Sequence, residues 1–566
     1  MPRRSASKLL VADFETTTDP CDCRVWAWAL CEIDDLQVSY GNSIESFIEE
    51  ISAYNSQTYF HNLAFDGSFI LDYLLKQGFR IVMDKRMPKK TISTLISDSG
   101  KFYSITVMWE SGFRTEFRDS LKKLPMSVSR IAKSFGFEEM KVEINYTAPR
   151  EPGHVLTEEE KAYIHNDVVI VARALALQFQ QGMTKLTVGS DSLTEYKTML
   201  GPKEWATLFP VLDPDIDTSI RRAYRGGWTY SDIRFRQQVV GPVSVFDVNS
   251  LYPSVMYEKP LPYGVPIWRP GAPQVIPDRP LWVASVTFTG RLKPGHVPCI
   301  QVRGSGFYFP AEYQTEIVEP VTMSVTCVDF ALWESQYNID VLEWTGCWYF
   351  HSIEGVFCSY IDKWMEVKKN STGGLREIAK LHLNSLYGKF ATNPLVSSKF
   401  PELKDDALSL VEGPVEERDP VYLPMGVFIT AWARNKTIRA AQDHYGVFAY
   451  ADTDSLHLLT APPVPGLDVD PVRLGAWKLE GQFDSAFFVR AKAYTEHSSE
   501  CTCGRQDGGH DRGCGFHTHI AGLPASVADS VEFDDLYDGK VFDGKLLPKR
   551  VPGGIVLSDV KYTLSF

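Results

Sequence analysis

The stretch YADTDS, residues 450–455, decides how the rest of this chain is read. Asp452 and Asp454 stand one residue apart between the apolar runs GVFAY (446–450) and LHLL (456–459). Strand-forming residues around a turn-forming centre predict two β-strands joined by a tight, Asp-rich turn. Carboxylates at the tip of such a hairpin repel each other, remain within reach of solvent and suit a hard divalent cation. A solvated β-turn would look the same in isolation. The choice between the two depends on what lies upstream.

A second acid lies in VFDVNSLYPSVM, residues 245–256, where Asp247 ends an apolar, strand-like run and the chain turns through Asn249 and Ser250. One acid at a strand end and another at a hairpin tip can jointly hold two metal ions, the arrangement used for in-line phosphoryl transfer. Between the two sites lies KLHLNSLYGKF, residues 380–390. On a helix, Arg376, Lys380, Asn384 and Tyr387 follow steps of four, four and three and share one face. That face is wrong for a core and right for gripping a triphosphate with its base and sugar. From Phe357 to Phe390 six Lys or Arg face three Asp or Glu, so the segment is positive inside an acidic protein. Lys368 and Lys369 precede it, across a Gly373-Gly374 pair where the chain is expected to turn.

DVNSLYP, KLHLNSLYG and YADTDS, in that order, resemble the three polymerase motifs of family B DNA polymerases. YRGGW (224–228), PMGVFITAWAR (424–434), the Lys492-Ala493-Tyr494 triplet and VPGGIVL (551–557) narrow the resemblance to the protein-primed members of the phi29-phage type. It covers essentially the whole length.

The N-terminal third carries chemistry of its own. In LLVADFETTT, Asp13 and Glu15 are one residue apart and project from the same face of a strand, so both can reach one metal. Asp66 lies in FHNLAFDGSFIL, where a polar turn leads into a helix. Asp167 lies in AYIHNDVVIVARAL, after a TEEE helix start, with Tyr163 four residues earlier on the same helical face. The series D-x-E, N-x-x-F-D and Y-x-x-x-D resembles the proofreading 3′–5′ exonucleases, whose acids hold two metals while the tyrosine orients the attacking water.

The resemblance further implies Mg²⁺ or Mn²⁺, two per active site. Asp247 and Asp454, with the Val248 carbonyl and supporting Asp452, would hold them for synthesis; Asp13, Glu15, Asp66 and Asp167, assisted by Glu143, would do so for degradation. Lys368, Arg376 and Lys380 would neutralise the triphosphate, and Tyr252 would stack under the incoming sugar and exclude a 2′-hydroxyl. Asn384 and Tyr387 would check the nascent pair, while Lys492 and Tyr494 position the primer strand. DNA contacts are implied at Asn62, Phe65, Ser120, Leu121, Lys141, Tyr224, Gly226, Gly227, Thr430 and Arg434. The implied partners are primer-template and single-stranded DNA, dNTPs and a terminal (priming) protein, met by a monomer. Two other readings fit the same motifs: a 3′–5′ exonuclease with a DNA-binding scaffold, and a family B polymerase using ordinary primers.

Composition bounds the answer. At 566 residues and 44% apolar, the chain can bury several cores. A net charge of −13 argues against indiscriminate coating of DNA, so nucleic acid must sit in a local basic channel. No apolar run approaches the eighteen or so residues that span a bilayer, and the start lacks a signal-peptide hydrophobic region. The expectation is no membrane and a cytoplasmic location, in a bacterial host if the chain is phage-encoded. Ten scattered cysteines fit a reducing compartment. In CTCGRQDGGHDRGCGFHTH (501–519), Cys501, Cys503, Cys514 and His517 could hold Zn²⁺, against a palm insertion with incidental thiols.

The expected fold is multidomain α/β: a ribonuclease H-like 3′–5′ exonuclease domain plus a right-hand polymerase of palm, fingers and thumb. Motif order places the exonuclease domain at 1–187, the palm at 188–258 and 421–526, fingers at 357–392 and a β-rich thumb at 527–566. Two insertions, 259–356 and 393–420, match the terminal-protein regions of the subfamily in place and length. By resemblance the first docks the priming protein, and the second closes a ring that gives processivity and strand displacement. Composition alone reads them as a β-rich subdomain and a surface loop.

Overall fold

The computed structural model describes residues 7–83, 86–138, 144–145, 148–302, 312–418, 420–499 and 512–566. Its N-terminal part is built on an eight-stranded sheet: β1 (Lys8–Thr16), β2 (Val25–Glu32), β3 (Val38–Gly41), β4 (Ser56–Phe60), β5 (Arg80–Ile81), β6 (Thr91–Ile96), β7 (Phe102–Met108) and β8 (Arg114–Asp119). The strand order is β3-β2-β1-β4-β8-β7-β6-β5. The β1/β4, β4/β8 and β5/β6 pairs are parallel and the others antiparallel. Four helices accompany it, α1 (Ile44–Ile51), α2 (Leu63–Lys76), α3 (Val128–Phe135) and α4 (Glu158–Gln180), whereas the next helix, Val188–Leu200, buries Val188 and Tyr196 in the core of the polymerase part.

Alternation along β1 assigns its two faces. Leu10, Ala12 and Phe14 enter a core with Phe47 of α1 and Phe69 of α2. Val11 enters a second core with Ile131 of α3 and Tyr163, Ile164 and Val168 of α4. Asp13 and Glu15 share the parity of Val11, so the strand period alone turns both acids toward α4. That helix starts at a capping box in which Thr157 accepts from the Glu160 N–H and Glu160 accepts from the Thr157 N–H.

A second, five-stranded antiparallel sheet lies at the centre of the molecule. Its order is Trp477–Phe483, Val243–Val248, Ser455–Leu458, Phe448–Asp452, Thr229–Ser231. The largest apolar core joins this sheet, through Phe246, Val248 and Leu456, to the long helix Leu423–Asp443 and to an antiparallel pair of helices, Cys358–Asn370 and Gly373–Phe390. The 259–356 insertion forms a four-stranded antiparallel sheet with a helix at Cys327–Gln336. The 393–420 insertion, expected from composition to be a loop, is a β-hairpin, Leu395–Lys404 with Ala407–Glu417. Its Leu408 plugs into the N-terminal core, which gives the segment an apolar reason to be ordered. A C-terminal hairpin, Val541–Val551 with Gly554–Thr563, sends Val551, Ile555 and Val556 into that same core.

Candidate active sites

The first site is a cavity of about 330 Å³ between β1, α2 and α4, lined by Asp13, Glu15, Asp66, Tyr163 and Asp167 together with Asn62, Phe65 and His61. Asn62 adopts left-handed geometry (φ 80) as N-cap of α2, and its N–H donates to Asp119 Oδ1 at 3.1 Å. This turn delivers Asp66, in the first turn of α2, to the acids of β1. Burial first, then the charges of Asp13 and Glu15, push the Asp66 carboxyl well above its ordinary range. Hard oxygen donors that repel one another fit a divalent cation, which would relieve the repulsion. Among the described residues, no group of three or more His, Cys, Asp or Glu is already drawn into a metal cage.

The second site lies on the central sheet. Asp247 stands directly opposite Ser455, and the Val248 N–H donates to the Asp454 carbonyl at 2.9 Å. Thr453 takes positive φ (61) at the turn, which lifts Asp454 beside Asp247. Burial, then Asp454 and Glu480, raise the Asp247 carboxyl to about 7, with Lys478 opposing them. Burial also raises Asp454. Asp452 is held differently: Oδ1 accepts from Thr229 Oγ1 at 2.7 Å and Oδ2 meets Lys492 Nζ at 2.6 Å. A cavity of about 600 Å³ opens above Asp247 and Val248, walled by Lys368, Lys369, Arg376 and Lys380 from the helix pair. Burial and the neighbouring positive charges lower the Lys368 pKa, which marks a pocket built for anionic charge. At its side Tyr252 and Tyr387 stack at 3.9 Å and 17°. Arg376 and Asn384 are exposed and Lys380 and Tyr387 half-buried, so the helix face predicted from their spacing is formed.

The family model described as "DNA polymerase type B, organellar and viral" matches residues 48–155 and 140–462. The DNA polymerase of Bacillus phage Nf is 42% identical over 98% of this chain and 99% of its own length. That of Bacillus phage phi29 is 41% identical over 100% and 99%. The chain belongs to the type B DNA polymerases. Among solved structures, phi29 DNA polymerase with primer-template DNA and incoming nucleotide matches at TM-score 0.92, with 39% identity over 99% of this chain and 100% of that one. The same enzyme with single-stranded DNA matches at TM-score 0.91. The fold is thus the expected one, with exonuclease and polymerase domains, and the protein is a DNA-directed DNA polymerase.

Several expected DNA contacts in this polymerase are placed elsewhere. Thr430 is 1% exposed and donates to the Gly426 and Val427 carbonyls of its own helix, both at 3.1 Å. Arg434 is buried in a bidentate pair with Asp329, Nε to Oδ1 at 3.1 Å and Nη2 to Oδ2 at 2.7 Å, and donates to the Arg225 and Gly226 carbonyls. Neither side chain is open to a duplex; Arg434 holds the Tyr224–Gly227 loop from behind. Ser120 is likewise buried, donating to Phe60 O at 3.0 Å and bonded to His61 Nδ1, so it supports the cavity wall. Gly227 packs against the hairpin: a Cβ there would collide with Thr453, while Gly226 faces open space. Leu121 is half-buried, and Tyr224 lies beside the Tyr252–Tyr387 pair. Tyr494 packs its ring on Tyr450 and His457 at 4.8 and 5.1 Å.

Lys141 and Glu143 lie outside the described residues, as do Cys501 and Cys503. Of the zinc reading only Cys514 and His517 are therefore placed, and nothing among the described residues supports a zinc site. Four site residues escaped the sequence reading: His61, Thr229, Lys478 and Glu480. His61 adjoins a motif and was within reach of it. Thr229, Lys478 and Glu480 sit on short strands whose neighbours only the sheet order reveals.

Proposed function

We propose that this chain is a replicative, protein-primed DNA polymerase with 3′–5′ proofreading, processive and strand-displacing, working as a monomer by two-metal nucleotidyl transfer. The observation that carries this reading is the pairing of Asp247 with the Asp454 hairpin beneath a cationic helix wall, in a chain with a separate four-acid cavity on its N-terminal sheet. Asp247 and Asp454, with the Val248 carbonyl, hold two Mg²⁺ or Mn²⁺ ions, which supply activation of the attacking 3′-oxygen and stabilisation of the leaving oxygen. Lys368, Arg376 and Lys380 bind the triphosphate, where charge develops in the transition state. Tyr252, braced by Tyr387, underlies the sugar, and Lys492, tied to Asp452, steadies the primer end. In the other cavity Asp13, Glu15, Asp66 and Asp167 hold the nuclease metals, and Tyr163 orients water.

The exonuclease domain spans 1–187, the palm 188–258 and 421–526, the fingers 357–392 and the thumb 527–566. The 259–356 sheet docks the priming protein, and the 393–420 hairpin, seated against the N-terminal core, closes a ring with the C-terminal hairpin. The solved complexes of the phi29 enzyme, named for primer-template DNA, single-stranded DNA and nucleotide, support the same partners here. Relatives encoded by Bacillus and Streptococcus phages support action in a bacterial cytoplasm. No helix among the described residues is long and apolar enough to cross a membrane. Protein priming is tested with labelled dNTP, template lacking any 3′-hydroxyl primer, and the priming protein of the same replicon. The expected product is that protein covalently labelled with nucleotide; label that appears only when an oligonucleotide primer is added contradicts the reading.

A further inference from the structure

The sheet side of the 600 Å³ cavity carries a cation of its own. The strand Trp477–Phe483 runs antiparallel to Val243–Val248 with Lys478 directly opposite Asp247. Directly opposed residues of an antiparallel pair share a face, with Cβ atoms roughly 5 Å apart. Lys478 therefore rises beside Asp247 and lines the same cavity as Lys368, Arg376 and Lys380, which reach it from the helices. Its charge is felt on both walls, opposing the upward shift of Asp247 and adding to the positive field at Lys368.

Sheet order gives the position a direction. Lys478 flanks Asp247 on one side, while the Asp452–Asp454 hairpin, with Lys492 bound to Asp452, flanks it on the other. In an in-line displacement the attacking and leaving oxygens lie on opposite sides of the reacting phosphorus. With the primer end at Lys492, the leaving group departs toward Lys478. The Lys478 ammonium meets Glu480 at 2.7 Å with both side chains well exposed (39% and 45%). An exposed pair of this kind adds little stability and yields readily to a more highly charged partner. Lysine suits the task, being a compact charge with three donors on a flexible stem.

We propose that Lys478 is a substrate-contacting residue that binds the β- and γ-phosphates of the incoming nucleotide, and the pyrophosphate they become, from the sheet side of the site. As the 3′-hydroxyl gives up its proton to solvent water and its oxygen bonds to the α-phosphorus, the bond from that phosphorus to the bridging oxygen breaks and its electron pair leaves with pyrophosphate. Lys478 stays protonated throughout and donates to the oxygens that gain the charge. The inference rests on reading this cavity as the nucleotide site.

The test measures single-nucleotide insertion and pyrophosphate-dependent primer shortening on the full chain, for Lys478→Ala, Lys478→Gln and Lys478→Arg, with Asp454→Ala as the control on the site itself. Losing one charge-assisted contact should raise the KM for dNTP and for pyrophosphate together by about tenfold in the Ala and Gln variants. Lys478→Arg should stay within about threefold of the parent, and primer-template affinity and Tm should not move. Unchanged KM values would overturn the proposal. So would a loss in kcat alone, since the lysine would then act only through Asp247. If Asp454→Ala still inserts nucleotides, the reading of the site fails, whatever Lys478 does.

Discussion

Gly227 stands where the Asp452–Asp454 turn presses hardest on the chain entering the central sheet. The Thr453 N–H donates to the Trp228 carbonyl at 2.8 Å, and the Thr453 side chain fills the space a Cβ on Gly227 would need. Gly227→Ala should therefore displace the hairpin tip and with it Asp454. A misplacement near 1 Å costs on the order of 10²-fold in rate, so nucleotide insertion should fall about that far while exonuclease rates stay near parental. Steady-state kinetics of the two activities check it. Behind the same loop, Arg434 is 7% exposed and paired with Asp329, 3% exposed. Asp329→Ala would leave a buried guanidinium without its carboxylate, which costs roughly 3–5 kcal/mol. Denaturant unfolding should show that loss, and Asp329→Asn should recover part of it.

At the scale of single elements, α4 carries both Tyr163 and Asp167, and its start is fixed by charge. Burial alone would push the Glu160 carboxyl up. Hydrogen bonds from His154, the Thr157 N–H and Arg150 outweigh burial and hold it at about 2, against an ordinary 4.5. A depressed carboxyl stabilises the fold above its ordinary pKa and loses that contribution as pH falls through the folded value. Glu160→Gln should thus lower the stability of the N-terminal part by about 1 kcal/mol at pH 6, with the gap to wild type narrowing between about pH 4.5 and 2. Melts of both proteins at pH 6 and pH 3 check the sign. The start of α4 was legible in TEEE, as were the hairpin in YADTDS and the helix face from Arg376 to Tyr387, because each is written in local turn chemistry or period. The burial of Thr430 and Arg434 was not legible, for the opposite reason. Which face of the Leu423–Asp443 helix is buried depends on Asp329 and the Tyr224–Gly227 loop, both distant in sequence. Lys478 was passed over because only strand pairing reveals that it faces Asp247.

Across the whole molecule, the C-terminal hairpin is locked to the N-terminal sheet at its tip. A Cβ on Gly554 would collide with the Phe69 ring, and one on Gly553 with the Cys23 carbonyl. Val551, Ile555 and Val556 are buried there beside Leu408 of the 393–420 hairpin. Gly554→Val should undock this tip, lowering Tm and shortening the product made per binding event while leaving single-nucleotide insertion near parental; extension against a trap of excess unlabelled primer-template measures it. Two acid sites on two sheets imply two separable reactions, and that claim is tested most directly with a 5′-labelled primer on a longer template in Mg²⁺. Wild type and Asp454→Ala are compared with and without dNTPs. Wild type should lengthen the primer with dNTPs and shorten it without them, while Asp454→Ala only shortens it. A wild-type protein that shortens the primer under every condition, or an Asp454→Ala variant that still lengthens it, would contradict the account.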